Sequence, residues 1–240
     1  MCNEAARRTA LGLMREDFNQ VRIELTFPEG LPNLGESPSI RITDTTVIVR
    51  AAGETAEMVQ RRWSWVGPGG KPVYNYRSEG RRFGNAATGG RCLIPLDGFY
   101  EFTDAQPPLS LDAGASGPSP AKRRGKKDKW LFSLNEQPEG EILETAPECK
   151  VRKVRTPRAA PGLFCVAGLW RADADLGKAG RGEAWTMLTC EPGPDIAPYH
   201  GRQIVIMPRD RWADWLAGVV PAADLIAPTP AGTLTVARAA

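Results

Sequence analysis

Histidine is nearly missing from this chain: 240 residues contain one, His200. Cysteine does not make up the shortfall as a metal ligand. Cys2, Cys92, Cys149, Cys165 and Cys190 are odd in number, scattered, and form no C-x-x-C pair. Neither a disulfide framework nor a structural zinc site follows, and no metal or cofactor is expected. No stretch approaches the ~18 apolar residues of a membrane span. Glu4, Arg7, Arg8, Arg15, Glu16 and Asp17 fall where a signal peptide would need an apolar core. Cys2 occupies the place where myristoylation requires glycine. There is no internal repeat. The net charge is only +3, too small by itself to name a polyanionic partner. These absences predict a cytoplasmic protein with no membrane association, and a monomer.

What is present suffices for one sizeable core: 42% hydrophobic and 25% charged residues over 240 positions. Leu11, Met14 and Phe18 recur at helical spacing within residues 4–18, predicting a short amphipathic helix. Strands are expected at 40–51, 57–66, 91–103, 129–134, 162–170, 184–190 and 203–207. Asp97-Gly98 should bend the third of these. Trp212, Trp215 and Leu216 fit a helix closed by Gly218. Many short strands with few helices predict an α+β protein, one domain over residues 1–240, built on a twisted, mostly antiparallel sheet or open barrel with peripheral helices. Residues 104–128 are rich in Pro, Ser, Gly and Ala before turning basic, and read as a flexible insertion; residues 136–160 read as loop. Lys122, Arg123, Arg124, Lys126, Lys127 and Lys129 form one basic cluster, and Lys150, Arg152, Lys153, Arg155 and Arg158 a second. Such runs are solvated loops or nucleic-acid contacts, and charge alone leaves both open.

Four polar features could carry chemistry. Removal of Met1 would leave Cys2 with a free α-amine beside its thiol. That amine titrates near ~7.8 against ~10.4 for lysine, so a far larger share of it is the neutral nucleophile at pH 7. It can form an imine with an aldehyde, and the adjacent thiol can close a five-membered thiazolidine, an intramolecular step with high effective molarity. Cys92, Cys165 and Cys190 instead lie in apolar runs and read as core residues. His200 follows a proline-stiffened loop and precedes an apolar strand, a position suited to proton exchange. Glu101 interrupts the aromatic run Gly98-Phe99-Tyr100-Glu101-Phe102, where alternation places it on the face of Phe99. It is either a partly desolvated acid–base or a hydrated edge-strand glutamate. Asn75, Arg77 and Glu79 alternate onto a common face, as they would in a site or in an ordinary Arg–Glu pair.

Together these runs resemble the SOS response-associated peptidase family, whose members shield abasic sites in single-stranded DNA by cross-linking to them. The resemblance rests on Met1-Cys2, Arg62-Trp63, Asn75-x-Arg77-Ser78-Glu79, Ala167-Gly168-Leu169-Trp170, Thr189 and His200-x-Arg202. Its most specific part is Arg91-Cys92-Leu93-Ile94-Pro95-Leu96-Asp97-Gly98-Phe99-Tyr100-Glu101. The resemblance implies Cys2 as nucleophile, Asn75 orienting it, Glu101 shuttling protons and His200 assisting sugar ring opening. It further implies that Arg77 and Arg202 grip phosphates and that Thr189 belongs to the DNA-binding set. Trp63 is placed either in the wall of the DNA groove or in the core. The implied partner is single-stranded DNA containing abasic sites, and the implied activities include self-processing at Cys2. Several loops depart from the family pattern: Asn3-Glu4 stand where Gly-Arg is usual, Asn33-Leu34-Gly35-Glu36 where Asn-x-Ala-Pro is usual, and Gln203-Ile204 where Met-Pro is usual. A Pro68-Gly69-Gly70 turn replaces a second tryptophan. Two other readings use the same residues: an N-terminal thiol amidohydrolase, and a non-covalent single-stranded DNA-binding module.

Overall fold

Runs of β-branched and aromatic residues become strands throughout a computed structural model that describes residues 2–104, 127–135 and 162–239. In chain order these are β1 (Glu4–Arg7), helix α1 (Leu11–Gln20), β2 (Leu25–Thr26), β3 (Ser37–Arg41), β4 (Thr45–Ala52), β5 (Thr55–Trp63), β6 (Trp65–Val66), β7 (Pro72–Val73) and β8 (Asn75–Arg77). There follow β9 (Gly89–Leu96), β10 (Gly98–Thr103), β11 (Asp128–Leu134), β12 (Phe164–Asp175), β13 (Arg181–Cys190), β14 (Gln203–Ile204) and β15 (Ile206–Met207). Helices α2 (Trp212–Ala217) and α3 (Ala222–Leu225) and strand β16 (Leu234–Ala239) complete the described chain. The insertion at 104–128, the loop at 136–160 and the second basic cluster lie largely or wholly outside the described residues.

The fold is α+β and mostly antiparallel, as expected. One sheet runs β13-β12-β9-β4-β5, and a parallel pairing of Ala184 with Arg62 and Trp185 with Trp63 joins its ends. The ring is therefore a closed five-stranded barrel, where the sequence had left sheet or open barrel undecided. A second sheet, β16-β11-β10-β1-β3, lies alongside. The two are continuous in sequence at Asp97, which separates β9 from β10 at the predicted bend. Gly168 is required where β12 crosses β13, since a Cβ there would come within 2.6 Å of the Thr186 carbonyl. Gly218 ends α2 in the left-handed conformation (φ 74°), as its sequence position predicted.

Three predicted boundaries move for tertiary reasons. Residues 4–7 are strand, because Ala5 and Ala6 are small enough to pair closely with Phe99 and Gly98. The Asp97 carboxylate then accepts the backbone N–H groups of Arg8 and Thr9, turning the chain into α1. The 40–51 run splits into β3 and β4 at a turn in which Asp44 accepts the Arg41 N–H (2.8 Å) and Thr43 takes φ 81°. The 57–66 run breaks at Ser64, also at positive φ (80°).

Two apolar clusters fill the interior. One lies beneath α1 and α2 and contains Phe18, Met58, Cys165, Trp212 and Trp215. The other extends between the barrel and the second sheet and contains Cys2, Phe99, Phe132, Phe164, Trp63 and Trp185. Cys92, Cys165 and Cys190 are buried core residues, as predicted.

Candidate active site around Cys2

Strand β1 carries the beginning of the chain into the second cluster. Its anchor is Glu4, whose carboxylate accepts from Ser39 Oγ at 2.6 Å and from Lys129 Nζ at 2.7 Å. Burial acts to raise the Glu4 carboxyl, but the hydrogen bonds from Lys129 and Ser39 win and hold it below its usual range. Lys129, one member of the predicted basic cluster, is thus used internally, and it also sits 3.9 Å over the Tyr100 ring. With β1 fixed, Cys2 is 1% exposed.

Polar groups from three elements converge on this residue. Asn75 Nδ2, on β8, donates to the Cys2 carbonyl at 2.7 Å. The Cys2 thiol donates to the Glu4 carbonyl at 3.3 Å. The Glu101 carboxylate, on β10, accepts the Cys2 backbone N–H. The nitrogen that removal of Met1 would convert to an amine is therefore already in contact with Glu101. Burial pushes the Cys2 thiol well above its ordinary range, and the nearby Glu101 charge adds to the shift. Burial likewise raises the Glu101 carboxyl, opposed by nearby positive charge and by the Cys2 N–H bond. Glu101 is 2% exposed on β10, a strand flanked by β11 and β1, so it is desolvated and is not a hydrated edge-strand glutamate.

His200 is held by its own loop. The Arg202 N–H points at His200 Nδ1 at 2.9 Å, so in the tautomer that accepts this bond the proton is on Nε2. Cys2, Asn75 and Glu101 are thus in contact, and His200 lies close enough to act electrostatically on Glu101, from positions up to 198 residues apart in sequence.

The DNA-contact candidates are treated differently by the fold. Arg77 is exposed on β8, opposite Thr189. Arg202 is not displayed freely. Its Nη1 lies 2.7 Å from Glu79 Oε1, its Nη2 donates to Glu79 Oε2 at 3.0 Å and to the Thr189 carbonyl at 2.8 Å, and its Nε donates to Thr189 Oγ1 at 3.3 Å. Thr189 itself is 1% exposed and acts here as the seat for this guanidinium. The hydrogen bond from Arg202 holds the Glu79 carboxyl below its usual range. Trp63 lies in the core and forms no groove wall: it is fully buried, stacks on Trp185 at 5.2 Å, and donates through Nε1 to the Tyr74 carbonyl at 2.9 Å. That last bond positions the residue preceding Asn75. Sequence reasoning had missed the Glu79–Arg202 latch, although the alternation of Asn75, Arg77 and Glu79 signalled a shared face. Among the described residues, no three His, Cys, Asp or Glu side chains gather as metal ligands.

Over residues 1–239 the sequence matches the family described as SOS response associated peptidase (SRAP). The chain belongs to that family. Its fold is shared with a crystal structure of a Bordetella bronchiseptica protein at 21% identity and TM-score 0.62, with 100% of both chains covered. A phage-related protein from the same organism is similar at 18% identity and TM-score 0.59, covering 99% of this chain and 94% of that one. A Bacteroides thetaiotaomicron protein is similar at 11% identity and TM-score 0.60, covering 99% and 91%. No curated protein matches the chain. Membership of an SOS-associated peptidase family places this SRAP chain in the response to DNA damage. No helix among its described residues is long and apolar enough to cross a membrane.

Proposed function

We propose that this SRAP protein captures abasic sites in single-stranded DNA by covalent attachment through Cys2. The observation that carries the reading is the contact between the Cys2 nitrogen and the Glu101 carboxylate, with Asn75 fixing the Cys2 carbonyl. Met1 leaves first, by self-cleavage at Cys2 or through an aminopeptidase, and the freed amine stays beside a carboxylate able to take its proton. An abasic site equilibrates between a closed hemiacetal and an open aldehyde. Glu101 takes the proton of the anomeric hydroxyl as His200 donates one to the departing ring oxygen; the ring C–O bond breaks and the aldehyde is exposed.

The amine attacks that carbonyl, Glu101 relays the proton, and loss of water leaves an imine. The thiol sulfur then adds to the imine carbon while its proton passes to the ring nitrogen, giving a thiazolidine. The raised thiol pKa favours this order of events. A thiol held neutral is a poor opening nucleophile, so the neutral amine acts first and the sulfur closes the ring in an intramolecular step. Single-stranded DNA suits the site, because a duplex would stack the lesion inside and resist bringing it to a buried residue. Arg77 supplies an exposed guanidinium for phosphate, and Arg202 does so once released from Glu79.

The test is incubation with single-stranded DNA bearing one abasic site, followed by a denaturing gel and intact-mass measurement. A heat-stable adduct lacking the mass of Met1 is expected, and Cys2→Ala should abolish the thiazolidine. Turnover of small amides without DNA would instead favour the thiol amidohydrolase. Salt-sensitive binding indifferent to the lesion and to Cys2→Ala would favour a non-covalent module.

A further inference from the structure

Seven tryptophans are present, and the fold disposes of six of them. Trp63, Trp185, Trp212 and Trp215 are fully enclosed. Trp65 is buried, with the Arg171 guanidinium 5.4 Å from its ring centroid, and the face of Trp170 is taken by Arg50 at 3.9 Å. Trp130 remains. It is half-buried on β11 and stands directly opposite Glu101 in the antiparallel pairing of β10 with β11. Directly opposed residues share a face of the sheet, with Cβ atoms about 4.5–5.5 Å apart. The indole is therefore on the Cys2 side of the sheet, one strand away from the carboxylate.

Its orientation is fixed in advance. Trp130 Nε1 donates to Thr103 Oγ1 at 2.9 Å. Tyr199, half-buried and next in sequence to His200, packs edge-on against Trp130 at 5.0 Å and against Phe132 at 5.3 Å. The same row continues outward to Arg238 on β16, which pairs with Trp130 in register. Glu101, Trp130 and Arg238, the last ion-paired with Asp128, thus form a line of acid, aromatic and cation running away from Cys2. A flat, preoriented ring beside a site for a base-free sugar matches one feature of the proposed substrate: the nucleotide next to an abasic site still has its base.

We propose that Trp130, braced by Tyr199, is the stacking subsite for the nucleobase flanking the lesion. The subsite rests on the reading of the Cys2 centre as a single-stranded DNA site. Stacking on an aromatic side chain is tolerant of base identity, so the subsite holds the strand without imposing sequence preference. It also supplies, from β11, an aromatic contact that the Pro68-Gly69-Gly70 turn does not provide.

The experiment uses the whole chain and two single-stranded oligonucleotides with a central tetrahydrofuran residue, which has no aldehyde and cannot cross-link. In one, the flanking positions carry bases; in the other they are tetrahydrofurans too. Fluorescence anisotropy should show the first bound about tenfold more tightly. Trp130→Leu should erase that preference, and Trp130→Phe, which keeps a ring, should retain most of it. If Trp130→Leu does not fold by thermal melting, Tyr199→Leu takes its place with the same expected loss. Equal affinities for the native chain, no binding to either oligonucleotide, or a preference that survives the leucine variants each overturns the subsite. Because neither oligonucleotide reacts, a failure of the covalent chemistry on abasic DNA leaves this measurement intact, and a failure here leaves the cross-linking result intact.

Discussion

Cys2 and Cys92 are both buried thiols whose pKa values burial drives far up, yet their surroundings differ in kind. Cys92 is on the barrel strand β9, and its backbone carbonyl accepts from Trp215 Nε1 at 2.9 Å. Its thiol is influenced by a single charged group, Arg50. Around Cys2 the backbone nitrogen, the carbonyl and the sulfur each have a polar partner, drawn from Glu101, Asn75 and Glu4. Burial is therefore common to structural and candidate catalytic cysteines. What distinguishes Cys2 from Cys92 is that a buried carboxylate, Glu101, holds its backbone nitrogen, at the cost that desolvating a carboxylate entails.

The sharpest way to break this comparison is to remove each sulfur in turn. Cys2→Ala should eliminate the adduct with abasic DNA, whereas Cys92→Ala should leave it in place and cost about 1 kcal/mol, a fall of roughly 2–4 °C in melting temperature for a chain of this size. Equal loss of adduct in both variants would dissolve the distinction. Next in size, Glu101→Gln should slow adduct formation by about 10²–10⁴-fold, the range typical of positioned acid–base groups, in single-turnover gel assays. Trp63→Ala should act through stability, lowering it by about 3–5 kcal/mol in urea unfolding. A well-folded Trp63→Ala protein with a specific DNA-binding defect would contradict its assignment to the core.

The smallest effect concerns pH. A carboxyl whose folded pKa is raised binds its proton more tightly in the native state, so stability falls as pH rises from the unfolded value, near ~4.3, through the folded one. Glu101→Gln removes that penalty. The variant should be at least as stable as the native chain at pH 7, and its advantage should fade toward pH 4. Denaturant midpoints measured across that range check the sign.

Several features around Cys2 are legible in the sequence. The alternation in Gly98-Phe99-Tyr100-Glu101-Phe102 put Glu101 on the same face as Phe99 and left its burial open; both are buried. The placement of Cys92 and Cys165 in apolar runs and the glycine stop at Gly218 also held. Local pattern fails at residues 4–7, where a helical spacing read from Leu11 onward was extended too far back. It fails there because the pairing of Ala5 with Phe99 is a contact 94 positions away. Arg202 illustrates the same limit: its charge was evident, but the carboxylate that occupies it is 123 positions earlier.

Residue types and spacing determined by themselves that this chain has an adjacent amine and thiol to offer once Met1 is gone, a carboxylate set among aromatics, and a lone imidazole in a stiff loop. Those properties are local, fixed by covalent structure and by the two-residue period of a strand. Only the tertiary structure decided that the barrel closes, that Trp63 is interior, that Glu79 holds Arg202, and that Trp130 stands opposite Glu101. Each of these depends on strand register between distant segments, where a slip of one residue would turn every side chain to the other face.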